Sequence, residues 1–540
     1  MKKPLSHWGV AALCALWLLS FYNGRFWQEM WQTTATSDSR WLFVASLFLV
    51  LFLLFTALLN LLSLPGFFKP PIIFLLLLSS VSAYFVNTYG VYINRDMLHN
   101  VFLTDLREVR DLLSPSLYLY LLFLGILPAL LLARLPMAPL PWRGLPRRLS
   151  ISFLCVVAAV GVVYGQFAHY AAYFRNHRES RHLLVPVNTL YATGGYLKQR
   201  YAKKGRPFEK TGEDIHRRIQ PPQSSRKRVV VLIVGETARA ANFQLGGYGR
   251  PTNPQLSQVK NLVYFDQATS CGTDTATSLP CMFAYATRDT YDADRAHHRE
   301  NLLDVVKRGA IRVVWLDNQA GVGCKGLCNR VEHQELARAN RPEFCDDQEC
   351  HDEILVQALA EVLNEPAQES WIVLHQMGSH GPAYYKRYPK AFQRFEPVCT
   401  TPELNNCTQS EIVNAYDNTI LYTDHVAAGV IRLLQSRQEQ WAGMVLYASD
   451  HGESLGEKNL YLHGIPYRIA PREQTHIPML MWFSDAYLSD YHLDPGCLLR
   501  QKGKPVSHFN LFSTILGAFD LGSSTYHPEQ DILGPCRQVA

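Results

Sequence analysis

The chain has 540 residues, room for more than one domain, with 48% hydrophobic residues, 18% charged residues and a formal net charge of +6. The positive balance comes without a dense Lys/Arg tract, which sets aside a protein that grips nucleic acid through a basic face. The averages conceal two unlike parts: long apolar runs as far as Phe174, then the composition of an ordinary soluble domain.

A helix that crosses a bilayer needs about 20 apolar residues. Five runs meet that expectation, roughly 7–24, 41–63, 71–92, 117–134 and 151–170, and the stretch from Trp41 to Phe68 carries no charge. The first run is read as a retained helix and not a cleaved signal, because four further runs follow it and no clear small-x-small site ends it. Lys2 and Lys3 precede the first run, and Arg134, Arg143, Arg147 and Arg148 separate the fourth from the fifth. Both places are expected on the cytoplasmic side. An odd number of spans then puts the C-terminal part outside.

Between the third and fourth runs, Asn100, Thr104 and Glu108 are spaced i, i+4, i+8 and share one helical stripe. Leu98, Phe102, Leu106, Val109 and Leu113 fall on the opposite face. By itself this pattern reads as an interfacial helix with a wet face. The expected organisation is a transmembrane domain over 1–174, a linker with room for interfacial helices over 175–227, and a catalytic domain over 228–540.

Cys14 and Cys155 lie in the apolar runs, and the other ten of the twelve cysteines follow later. Proximity pairs them as Cys271/Cys281, Cys324/Cys328, Cys345/Cys350, Cys399/Cys407 and the distant Cys497/Cys536. No CxxC pair occurs, so disulfides in an oxidising compartment are expected over zinc-binding thiols.

The soluble part opens with the β-branched run Val229–Val234, which reads as a strand buried on both faces. Similar runs recur at Ile311–Leu316, Trp371–Leu374 and Met444–Tyr447, with helical patterns at Asp352–Leu363 and Glu411–Leu434. The alternation predicts an α/β domain with a mostly parallel central sheet and helices on both faces. Each predicted strand runs into polar residues: Gly235-Glu236-Thr237, Asp317-Asn318, Gly378-Ser379-His380 and Ser449-Asp450-His451-Gly452. Ligands of open α/β sheets bind beyond the carboxyl ends of the strands, so these residues are expected to converge.

Glu236, Asp450 and His451 supply two carboxylates and an imidazole, an N/O set suited to Zn2+ with room for a fourth oxygen. The segment Ser270–Cys281 is dense in hydroxyls and bracketed by cysteines. A hydroxyl at the start of a helix there meets positive backbone potential, which favours an alkoxide and an incoming phosphate. The residues alone leave Thr273, Thr275, Thr277 and Ser278 open as the nucleophile. His380 and His463 have glycine neighbours that allow close ligand approach, and either could bind phosphate, protonate a leaving group or hold a second metal.

Val234-Gly235-Glu236-Thr237, Ser270–Thr273 through Cys281-Met282-Phe283, Gly378–Pro382 and Ser449–Glu457 together resemble the lipid A phosphoethanolamine transferases. These belong to the alkaline phosphatase/sulfatase superfamily and are related to the mobile colistin-resistance enzymes. The resemblance covers nearly the whole chain. It implies a zinc-dependent transferase of the bacterial inner membrane, multi-pass and with its catalytic domain in the periplasm, acting as a monomer. The implied donor is phosphatidylethanolamine and the implied acceptor a lipid A phosphate of lipopolysaccharide, with lowered polymyxin susceptibility as the outcome. Core heptose or a surface protein are alternative acceptors.

The resemblance also implies roles. Thr275 is the nucleophile, and Glu236, Thr275, Asp450 and His451 hold one tight zinc. His380 and His463 contact phosphoethanolamine or a second zinc, and Lys325 contacts substrate. Asn100, Thr104 and Glu108 lie near the donor headgroup. Asp274 departs from the small or neutral residue expected beside the nucleophile. A sulfatase is disfavoured, because no Cys-x-Pro-x-Arg or Ser-x-Pro-x-Arg context for formylglycine occurs. A membrane-anchored phosphatase is the remaining hydrolytic alternative, and a lipid-binding sensor without turnover is the non-enzymatic one.

Overall fold

The computed structural model describes residues 5–35, 40–62, 67–103, 109–110, 112–138, 142–202, 207–219, 226–319, 324–337, 339, 341–345 and 349–538. By packing, the chain divides into two units: Met1–Leu98 with Leu113–Lys198, and His99–Leu112 with Gln199–Ala540.

The first unit is helical. The first apolar run forms α1, His7–Phe21, of 15 residues. That is about 22 Å at 1.5 Å per residue, short of a hydrocarbon core of about 30 Å. The helix stops before Asn23, whose buried amide donates to Leu18 O at 2.9 Å and Val185 O at 2.9 Å and accepts from Val185 N at 2.8 Å. The other four runs become α2 (Arg40–Leu61), α3 (Lys69–Tyr89), α4 (Pro115–Arg134) and α5 (Leu145–Gly165), each long and apolar enough to cross a membrane. Four of the described helices, not five, therefore meet the length of a span. Between α2 and α5, Asn60 Nδ2 donates to Arg148 O at 3.1 Å and lies 3.0 Å from Ser152 Oγ. Such polar contacts join apolar helices where water cannot compete. Asn100 lies on the short helix Arg95–Leu103. Thr104 and Glu108 lie outside the described residues.

The second unit is built on a seven-stranded sheet. Its strands are β1 (Lys227–Gly235), β2 (Leu262–Phe265), β3 (Arg312–Asp317), β4 (Glu332–Glu335), β5 (Glu369–His375), β6 (Trp441–Ser449) and β7 (Met479–Phe483). The order is β2-β7-β6-β1-β5-β3-β4. From β6 to β4 every pairing is parallel, while β7 runs antiparallel to both of its neighbours. Val230 of β1 pairs with Met444 of β6 and Trp371 of β5.

β1 is apolar without alternation because both of its faces are covered. Val230, Leu232 and Val234 enter one core with the helix α6 (Thr275–Met282), through Leu279 and Met282. Val229, Val231 and Ile233 enter another with α7 (Glu353–Val362) and α8 (Gln409–Ser436). The start of α8 is fixed by a capping box: Glu411 N donates to Thr408 Oγ1, and Thr408 N donates to the Glu411 carboxylate. Five disulfides tie the unit: Cys271–Cys281, Cys324–Cys328, Cys345–Cys350, Cys399–Cys407 and Cys497–Cys536.

At the opposite end of β1 from Glu236, Arg228 is buried with its guanidinium 2.9 Å from Asp520 and 3.1 Å from Glu369, and 3.8 Å from the centre of the Tyr491 ring. Removing one member of a buried charge cluster leaves the others uncompensated. Arg228→Met is expected to destabilise the protein by about 3 kcal/mol. A urea unfolding midpoint unchanged from the wild type would contradict this.

Candidate active site

β1 and β6 are neighbours and end in register, Gly235 opposite Ser449. The residues that follow them, Glu236 and Asp450-His451, are therefore side by side. A Cβ on Gly235 would stand 2.2 Å from Tyr447 Oη, so only glycine lets the two chain ends approach this closely. Asp450 N donates to Gly235 O at 2.9 Å. Thr237 takes the left-handed region at φ 54°, which a branched residue rarely does. Its N–H donates to Asp450 Oδ1 at 3.1 Å, and its carbonyl accepts from Tyr416 Oη at 2.7 Å.

The end of β5 closes the next side. Gly378, at φ 55°, lies where a Cβ would strike Glu236 O at 2.7 Å. Asp352 accepts from Met377 N at 2.8 Å and Gly378 N at 2.9 Å, which holds the loop leading to His380. Ser379 N donates to Glu236 O at 2.9 Å.

α6 supplies the hydroxyl. Asp274 is its N-cap, accepting from Thr277 N at 2.9 Å, and Thr275 is the first helical residue. The departure at Asp274 thus has a local cause, since aspartate is among the preferred capping residues. The four hydroxyls separate cleanly. Thr273 Oγ1 donates to Ile465 O at 2.7 Å, Thr277 Oγ1 to Asp274 at 3.0 Å, and Ser278 Oγ is buried with no hydrogen-bond partner among the described residues. Thr275 Oγ1 lies 3.2 Å from each carboxylate oxygen of Glu236 and 3.4 Å from His451 Nε2.

Glu236, Asp450 and His451 are completely buried, and their ligand atoms lie within 4.8 Å of one another. Burial raises the pKa of both carboxyls, and the charge of Asp450 raises that of Glu236 further. Asp450 Oδ2 has no hydrogen-bond partner among the described residues and lies 3.2 Å from His451 Nε2. His451 Nδ1 sits 2.9 Å from Gly452 O, an acceptor, so that nitrogen carries the proton and Nε2 turns its lone pair to the acids. Burial, then the charge of His463, also holds His451 well below its usual pKa. Two carboxylates and an imidazole lone pair facing one point fit a divalent cation.

A second cluster, His451, Glu453 and His463, adjoins the first. His463 Nδ1 is 2.8 Å from Glu453 Oε2, and Tyr384 Oη donates to the other Glu453 oxygen at 2.6 Å. Burial opposes the charge on His463, but Glu453 outweighs it and pushes the pKa up to about 9. The His463 ring is 4.4 Å from that of His451 and 5.9 Å from that of His380. Lys325, in the Cys324–Cys328 loop, has the left-handed φ of 48°. Burial holds His380 well below its usual pKa, with the charges of Arg387, His463 and Lys325 adding to it.

The likeness to known proteins follows the same division of the chain. The family described as Sulfatase matches residues 228–521. The family described as Phosphoethanolamine transferase EptA/EptB matches residues 51–201. Phosphoethanolamine transferase EptA of Salmonella typhimurium is 42% identical over 86% of this chain and 85% of its own length. The chain belongs to the EptA-like phosphoethanolamine transferases of the alkaline phosphatase/sulfatase superfamily. Phosphatidylethanolamine transferase Mcr-1 of Escherichia coli is 36% identical over 89% of this chain and 90% of its own. The solved integral membrane protein lipooligosaccharide phosphoethanolamine transferase A of Neisseria meningitidis has a TM-score of 0.95 and 38% identity, covering 99% of this chain and 100% of that one.

Three residues that sequence patterns do not single out support the site of this transferase. His508 accepts from Cys271 N at 3.2 Å through Nδ1 and donates to Ser449 O at 2.8 Å through Nε2, bridging the loop that carries Thr275 to β6. Glu453 fixes His463. The buried Gln319 donates its side-chain amide to Glu236 Oε2, and its backbone N–H donates to Asp317 Oδ1 at 2.8 Å. The polar end of β3 is legible in the sequence, but the reach of one amide beyond Asn318 is not. Groups that orient ligands tune metal affinity, and losing one commonly costs about 10–100-fold. Gln319→Leu is therefore expected to weaken Zn2+ binding by about that factor in chelator competition while leaving the zinc-free melting temperature unchanged. Wild-type affinity in the variant would show that the amide has no part in orienting Glu236.

Proposed function

We propose that this transferase moves phosphoethanolamine from phosphatidylethanolamine to a lipid A phosphate, through a covalent phosphoethanolamine–Thr275 intermediate. The observation that carries the reading is Thr275 itself: of the hydroxyls on its loop, its own points at Glu236 and His451 from the N-terminus of a helix. Glu236, Asp450, His451 and Thr275 would hold one tightly bound Zn2+, and the adjoining His463, hydrogen-bonded to Glu453, keeps its proton. Bound there, zinc would balance the two carboxylates and lower the pKa of the threonine hydroxyl.

The remaining chemistry belongs to the chain. The backbone N–H groups at the start of α6 face the incoming phosphate. Thr275 Oγ1, its proton lost to solvent, attacks phosphorus, the bond to diacylglycerol breaks, and His463, kept charged by Glu453, supplies a proton to the leaving alkoxide. Lys325 and His380 contact the phosphoethanolamine. An oxygen of the lipid A phosphate then attacks the same phosphorus and releases Thr275. Asn100, Thr104 and Glu108, on one predicted stripe, hold the ethanolamine end of the donor.

The catalytic unit lies in the periplasm, which agrees with its five disulfides. The four long helices anchor the chain in the inner membrane, and the protein acts as a monomer. The modified lipid A lowers polymyxin susceptibility.

Thr275→Ala tests the reading. The expected result is a fall in lipid A modification of at least ~10³-fold and no phosphoethanolamine adduct on the loop peptide by mass spectrometry. Lipid A modified at the wild-type level by this variant would overturn the covalent mechanism. In the wild type, an adduct that discharges to water alone, releasing phosphoethanolamine, would instead make the enzyme a phosphodiester hydrolase.

A further inference from the structure

At the far end of α6 from Thr275 lies a cavity of about 420 Å³ that the chemistry above does not use. Pro280, Ala284, Tyr285, Tyr291, Arg295, Arg299 and His527 are among the residues that line it. Its volume falls in the range of sites that take a small molecule. The Tyr285 and His527 rings are stacked at 5.6 Å and joined by a 3.0 Å hydrogen bond between Tyr285 Oη and His527 Nε2. Thr287 and Thr290 add hydroxyls.

Arg299 is the unusual member. Its side chain is only 20% exposed and its guanidinium carbon stands 5.3 Å over the Tyr285 ring, yet Nε has no hydrogen-bond partner among the described residues. The nearest carboxylate, Glu209, stands 3.7 Å away and is already bonded by Arg295 at 2.9 Å. Glu300 is occupied by Arg308 and by the Thr211 N–H, and Asp292, at the exposed rim, caps the turn that carries Arg295. Buried donors without partners are rare in folded proteins. A guanidinium is a planar fork that matches phosphate oxygens.

We propose that this cavity is a subsite for a phosphorylated sugar, the saccharide part of the acceptor, with Arg299 on an anionic oxygen and the edge of the Tyr285–His527 pair and the threonine hydroxyls toward the ring. The placement rests on the transfer to lipid A proposed above. α6 has eight residues, so the cavity lies about 10 Å from the nucleophile along the helix. A phosphorylated saccharide can thus present one group to Thr275 while its neighbouring ring occupies the cavity. The donor has no sugar and would make no use of it.

The two half-reactions separate this proposal from the one on which it rests. In the full-length enzyme, Arg299→Met keeps the packing of the stem and removes the fork. Release of diacylglycerol from phosphatidylethanolamine and formation of the Thr275 adduct are expected within twofold of wild type. Discharge of that adduct to lipid A is expected to need about 10- to 100-fold more acceptor, the loss of one charge-assisted hydrogen bond. Glucosamine 1-phosphate should protect the wild-type adduct from lipid A competitively and fail to do so in the variant. Arg295→Gln, at the exposed rim, is expected to change acceptor KM less than Arg299→Met. Equal loss in both half-reactions, or an unchanged acceptor dependence in both variants, would overturn the subsite. Absence of any adduct in the wild type would instead overturn the covalent reading.

Discussion

The site depends on one electrostatic constraint. Two adjacent parallel strands end in register and bring the completely buried Glu236 and Asp450 side by side. Burial raises the pKa of both, and the charge of Asp450 raises that of Glu236 further. The imidazole beside them adds a lone pair and not a proton, because Gly452 O holds the proton of His451 on the other nitrogen. A divalent cation held there would relieve all three at once. The surrounding polypeptide behaves as a mould for that cation: Thr237 is bent into an unfavourable conformation to donate to Asp450, and Gln319 is anchored to donate to Glu236.

The Thr275 hydroxyl is brought to these three side chains by a chain of small tethers. The Cys271–Cys281 disulfide closes the loop, Asp274 caps the helix, and His508 ties Cys271 to the strand that bears Asp450. Gly464 N donates to Thr273 O at 2.7 Å, so the segment carrying His463 is fixed to the same loop. Positioning of this kind removes orientational freedom before the reaction and is a large part of what an active site supplies. The hydroxyls that lose the contest, Thr273 and Thr277, are consumed in building the loop that presents Thr275.

Much of this was legible in the chain. β1, β3, β5 and β6 are buried on both faces, so their sequences are uninterrupted apolar runs, and the polar residues that end them are the site. The strands that escaped reading are short or atypical. β4, Glu332-His333-Gln334-Glu335, is exposed throughout and carries the charges that protect a sheet edge. β7 reverses direction, which no local pattern declares. The choice among four hydroxyls needed the third dimension, because each satisfies the same local rule for the start of a helix. The first apolar run was read as a span from hydropathy alone, while the polar use of Asn23 shortens its helix. The importance of Gln319 and Arg299 rests on what their side chains meet across the fold.

X-ray absorption at the zinc edge of the purified enzyme tests the central claim most directly. Ligation by Glu236, Asp450, His451 and Thr275 predicts a four-coordinate shell of one imidazole nitrogen and oxygen donors at about 2.0–2.2 Å, without sulfur. A tightly bound zinc whose shell holds two imidazoles would place the metal in the His451–Glu453–His463 cluster instead, and would contradict the assignment of Thr275 to the metal centre.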